Sequence, residues 1–200
     1  MRIPLTIRVF GGFMSGNVFM NPSKTFEDAF HNPDVSSALI IVLLAGVFLS
    51  LAAYLTTASW VVSVYLFIVN LAQWLILSAI VWFFEFIHVR KRKRLPGTEF
   101  SQSASVVGKL WVINLAGSVL LAIIAFILPF ASTALMFILG PLFVLVTLIL
   151  IICWVIASFK MLKVVFGKER WVLLINWLII NILNAITINF VASLVSFIFR

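Results

Sequence analysis

Few residues in this chain have the type and spacing to do chemistry. Glu85 and His88 stand three positions apart, on one face if the segment is helical, and helical bundles use such carboxylate–histidine pairs to hold metals when other helices add ligands. Only His31 and the remaining acids, Glu27, Asp28, Asp34, Glu99 and Glu169, are left to add them. The plainer reading makes Glu85 an interfacial group offsetting the basic run behind it, with His88 at headgroup level. No glycine-rich nucleotide loop, no paired acids inside an apolar run and no nucleophile with a neighbouring base is visible. The lone Cys153 lies inside an apolar run, which leaves no internal disulfide and no cysteine metal site. The sequence therefore reads as a non-enzyme, with no catalytic residue, no cofactor and no metal.

Two other polar features remain. Arg90, Lys91, Arg92, Lys93 and Arg94 form an unbroken basic block between two long apolar runs. Such a block fixes orientation in a membrane. It also suits anionic lipid, at about 1 kcal/mol per basic side chain near a negative leaflet. The second feature is a set of amides inside apolar runs: Asn70, Gln73, Asn114, Asn181 and Asn184. An unpartnered amide in hydrocarbon is costly, so these groups should face one another, either as glue between helices or as the lining of a polar path.

The elements that position these groups follow from composition. Of 200 residues, 64% are hydrophobic and only 10% charged, and the mean hydropathy is +1.24, more apolar surface than a soluble domain buries. The fold class is all-α: a polytopic membrane protein of five transmembrane helices, expected over residues 37–56, 60–87, 107–128, 137–158 and 171–199. Residues 1–36 form a cytoplasmic or interfacial arm with no cleaved signal, because Gly11, Gly12, Gly16, Pro22 and Pro33 interrupt it. Within it, Asn21-Pro22 opens a short amphipathic helix with Phe26, Ala29 and Phe30 on one face, predicted to lie on the bilayer. Asn32-Pro33 closes it, and Asp34 begins the first span. Thr98 is expected to cap a short helix leading to Lys109 and Trp111 at the membrane surface. Pro141 places the start of the fourth span between Ala134 and Pro141. Ala116, Gly117, Ala122 and Ala125 mark the third as the closely packed span.

Five spans put every Lys and Arg except Arg200 on one side. That partition predicts a cytoplasmic N-terminus and an external or lumenal C-terminus. The net charge of +8 is accounted for by these short loops, so no nucleic-acid partner is expected. The partners expected are the lipid bilayer and its anionic lipids, with the cytoplasmic face as the place for a protein partner or a second copy.

The stretch NPSKTFEDAFHNPDVSSALIIVLLAG, a Pro-containing amphipathic helix feeding straight into a first span, resembles the Yip family of five-span membrane proteins, which interact with Ypt or Rab GTPases. FSQSASVVGKLW and WVIASFKMLKVVFGKERWVLLINWL are similar to that family too. The chain lacks the long polar N-terminal region and the Asp-Leu-Tyr-Gly-Pro stretch of the eukaryotic branch, and looks most like the short prokaryotic members, which implies a prokaryotic cell membrane. The resemblance implies a non-enzymatic scaffold or adaptor in membrane organisation or trafficking. The alternative is a small-solute or ion permease whose path runs past the amides.

Overall fold

The computed structural model describes residues 18–92, 99–130, 133–166 and 170–198, and their side chains except those of 88–92, 133–139, 170–171, 191 and 194–198. Described residues are helical with short connections: α1 (Pro22–His31), α2 (Val35–Thr57), α3 (Trp60–Arg92), α4 (Phe100–Ile127), α5 (Thr133–Phe166) and α6 (Arg170–Ile198). Five of these helices, α2 to α6, are long and apolar enough to cross a membrane. Residues 1–17 of the expected arm lie outside the described residues.

The ends of the first elements follow from their capping residues. Asn21 accepts the Lys24 N–H at 3.3 Å, with Pro22 following it in the first turn of α1. Asp34 accepts the Ser37 N–H at 3.0 Å and the Ser37 hydroxyl at 2.6 Å, starting α2. At the far end α2 and α3 are joined by Ala58 and Ser59, and Ala58 takes the left-handed conformation, φ 52°, that lets the chain reverse there.

The most extensive helix pairing is between α2 and α4, and glycine permits it. A methyl group added at Gly108 would collide with the Ala38 Cβ and lie 2.8 Å from its Cα, so the two backbones cross nearly in contact. Gly46, on the same helix as Ala38, does the same for α3: a methyl there would lie 2.9 Å from the Phe67 ring and 3.2 Å from Asn70 Nδ2. The close approach on α4 thus falls at Gly108, about two turns before the small residues Ala116, Gly117, Ala122 and Ala125. Of those, Ala122 and Ala125 are buried with Ala52 in a separate small cluster, and a methyl at Gly117 would meet Leu150 at an ordinary 3.6 Å.

Three local expectations need correcting. The apolar face of α1 meets protein: α1 packs on α4 and α5, and Phe26 is fully buried in the main apolar cluster with Met161, Leu162 and Val165. Next, α4 is one continuous helix from Phe100, with Glu99 at its N-cap and the Glu99 N–H donating to Gln102 Oε1 at 3.1 Å. Trp111 therefore falls more than three turns into a helix and is fully buried against protein. Finally, α5 begins at Thr133 and carries Pro141 inside it, then continues past Ser158 to Phe166.

The outer helices are different in kind. α5 is the least buried of the spans, and both α5 and α6 expose rows of Leu, Ile and Val that lipid must cover. The prediction from this architecture is asymmetric. Gly108→Val should cost about 1–3 kcal/mol through overpacking at the α2–α4 crossing, while Gly117→Ala should be nearly silent. Thermal unfolding of the two purified variants in one detergent measures the difference.

Candidate functional site

Asn70 lies near the middle of α3 and is bonded in two directions. Its Nδ2 donates to the Val42 carbonyl of α2 at 3.0 Å, and its Oδ1 accepts the Trp111 indole N–H of α4 at 3.1 Å. A second indole, Trp74, donates to the Ala104 carbonyl at 3.3 Å and ties α3 to α4 again. Ser50 on α2 donates to the Ser63 carbonyl of α3 at 2.9 Å. The polar groups of these three helices thus act as cross-links, as hydrocarbon surroundings require.

Beside this clamp lies a partly open cavity of about 400 Å³ between α2, α3, α4 and α5. Asn70, Gln73, Asn114 and Ser118 reach its wall from α3 and α4, and Thr147 from α5. The Ser118 hydroxyl donates to the Leu115 carbonyl at 2.9 Å. Gln73 and Asn114 make no hydrogen bond among the described residues. A second cavity of about 410 Å³ shares Leu49, Leu121 and Phe143 with the first and extends towards Thr56 and Thr57 at the end of α2. Val42, Trp74, Leu77, Leu110 and Trp111 belong to the main apolar cluster and are each at most 5% exposed.

The structure brings Asn70, Gln73 and Asn114 to one cavity wall and leaves Asn181 and Asn184 off it, on α6. Asn181 Nδ2 donates to the Trp177 carbonyl of its own helix at 2.8 Å, the local bond that polar side chains make inside helices. Asn184 Oδ1 and Asn176 Nδ2 are buried without a hydrogen-bond partner. The polar link of α6 to α5 comes instead from the Trp177 indole, which donates to Ser158 Oγ at 2.8 Å. Sequence reading did not single out the tryptophans as the donors. The signal available was that an indole N–H inside an apolar helix must find an acceptor.

Of the basic block, Arg90, Lys91 and Arg92 are in α3 but their side chains are not described, and Lys93 and Arg94 lie outside the described residues. Glu85 is 3% exposed, so its side chain is enclosed by protein. Among the described residues, no three His, Cys, Asp or Glu side chains gather as a metal site would require.

These features define an integral, multi-pass membrane protein with five helices long and apolar enough to span a bilayer, its buried polar groups including amides, indoles and hydroxyls together with Glu85 and Lys109. No family model, no curated protein and no solved structure matches the chain.

Asn70 and Asn184 should respond oppositely to the same change. Asn70→Leu strands the Trp111 indole and should lower stability by an amount of order 1 kcal/mol, the scale of interhelical hydrogen bonds in membranes. Asn184→Leu replaces a buried group that has no partner and should be neutral or stabilising. Unfolding temperatures in detergent, compared with the parent, read both.

Proposed function

We propose that the protein is a non-catalytic membrane scaffold or adaptor of the Yip type, with its basic end in the cytoplasm, where it would meet anionic lipid through Arg90, Lys91, Arg92, Lys93 and Arg94. The observation that supports this reading is the two-ended bonding of Asn70. The Asn70 amide is spent on joining α2 and α4 through both its ends. The permease reading draws its support from Gln73 and Asn114, whose amides face the cavity without hydrogen-bonded partners.

Accessibility separates the two. In a Cys153→Ala background, cysteines at Gln73 and Asn114 should resist water-soluble thiol reagents added from either side of sealed vesicles. Rapid labelling of both from the basic side, in protein of unchanged stability, would replace the scaffold with the permease.

A further inference from the structure

A small polar cavity lies at the basic end, away from the clamp. Its volume is about 150 Å³, and Thr25, Asp28, Ala29 and Asn32 of the α1 region, Asp34 at the start of α2, and Lys109 of α4 line it. Sequence reading treated Lys109 as a charge at the membrane surface. Instead the residue is 9% exposed, one position beyond the Gly108 crossing. Among the described residues its ammonium makes no hydrogen bond, although it stands within electrostatic range of Asp34. The Lys109 stem is enclosed and its ammonium opens on the cavity without a hydrogen-bonded acceptor, so an anionic group entering the cavity would find a donor there.

The acids of the cavity narrow what that group belongs to. Asp34 has both carboxylate oxygens engaged by Ser37. Partial burial raises its pKa, but the Ser37 hydroxyl, the backbone N–H groups of Ser36 and Ser37, and the Lys109 charge hold it below the ordinary value, so it is ionised at neutral pH. The Asp28 carboxylate makes no hydrogen bond among the described residues. One cation and two carboxylates leave the cavity net negative, which disfavours a purely anionic headgroup. An ammonium beside the phosphate removes that conflict, and to hydrogen-bond a carboxylate it must carry N–H groups, which the quaternary ammonium of a choline headgroup lacks. Asp34 is the N-cap of the span Val35–Thr57, and the end of a span is where a lipid headgroup can reach.

We propose that this cavity binds the phosphoethanolamine headgroup of a membrane lipid, with the phosphate on Lys109 and the primary ammonium on Asp28, Asp34 adding to the field. The site does not depend on whether the protein is a scaffold or a permease. It is distinct from the basic block, whose charge is of one sign.

The test is native mass spectrometry of the delipidated protein with phosphatidylethanolamine, phosphatidylglycerol and phosphatidylcholine added in equal amounts. The parent should retain phosphatidylethanolamine over each of the others by about tenfold, equivalent to ~1.4 kcal/mol. Lys109→Met should abolish that retention. Asp28→Asn, at an exposed residue that folding does not need, should remove the preference over phosphatidylcholine. Equal retention of the three lipids, preference for phosphatidylglycerol, or an Asp28→Asn variant indistinguishable from the parent would each overturn the proposal. Soluble phosphoethanolamine should raise the unfolding temperature far less than the lipid does; an equal rise would overturn a lipid as the source of the headgroup.

Discussion

A carboxamide in the middle of a hydrocarbon-embedded bundle has no water to turn to, and the bonding of Asn70 follows from that constraint. One end meets a backbone carbonyl of α2 and the other an indole of α4. Both bonds require the three helices to come close, and the absence of side chains at Gly46 and Gly108 allows it. Local and tertiary choices therefore agree: small residues let backbones approach, and approach lets the buried polar groups find partners. The contacts of α1 extend the same core to the basic end, where the Asp34 N–H donates to Ser105 Oγ at 3.0 Å and Gln102 Nε2 donates to the Phe30 carbonyl at 3.2 Å.

α5 and α6 complete the bundle without sharing this organisation. Their long aliphatic side chains face outward, and their asparagines satisfy themselves along the helix or remain unpaired inside it. The result is a rigid three-helix core with two helices whose main solvent is lipid. The cavity beside Asn70 lies where α5 meets the core, and the loosely held helix forms its fourth wall. Both readings of the protein's role turn on that junction.

The helices and their number were legible because length and apolarity alone define a span. The cap was legible at Asn21, a short polar side chain before proline and an apolar face, whereas the pair Asn32-Pro33 pointed to a helix with Asp34 in its first turn and Asp34 is itself the N-cap. What could not be read was which face of each span turned inward. A span that is apolar all round carries no periodic mark of its buried side, so Asn70 and Asn184 looked equivalent, though only one has partners. Trp111 reads as an exposed interfacial residue beside Lys109, but α1 packs over this part of α4 and both side chains are buried against protein. The glycine crossing at Gly108 escaped notice, as it had been assigned to the edge of the span.

The central claim is that α2, α3 and α4 are held together through the Asn70 amide, and a double-mutant cycle between Asn70→Leu and Trp111→Phe tests it most directly. Trp111→Phe keeps an aromatic ring and removes only the indole donor with part of its surface. Unfolding free energies in one detergent should show a coupling of order 1 kcal/mol between the two substitutions. Strictly additive losses would contradict the account, since they would mean that the two side chains stabilise the bundle independently.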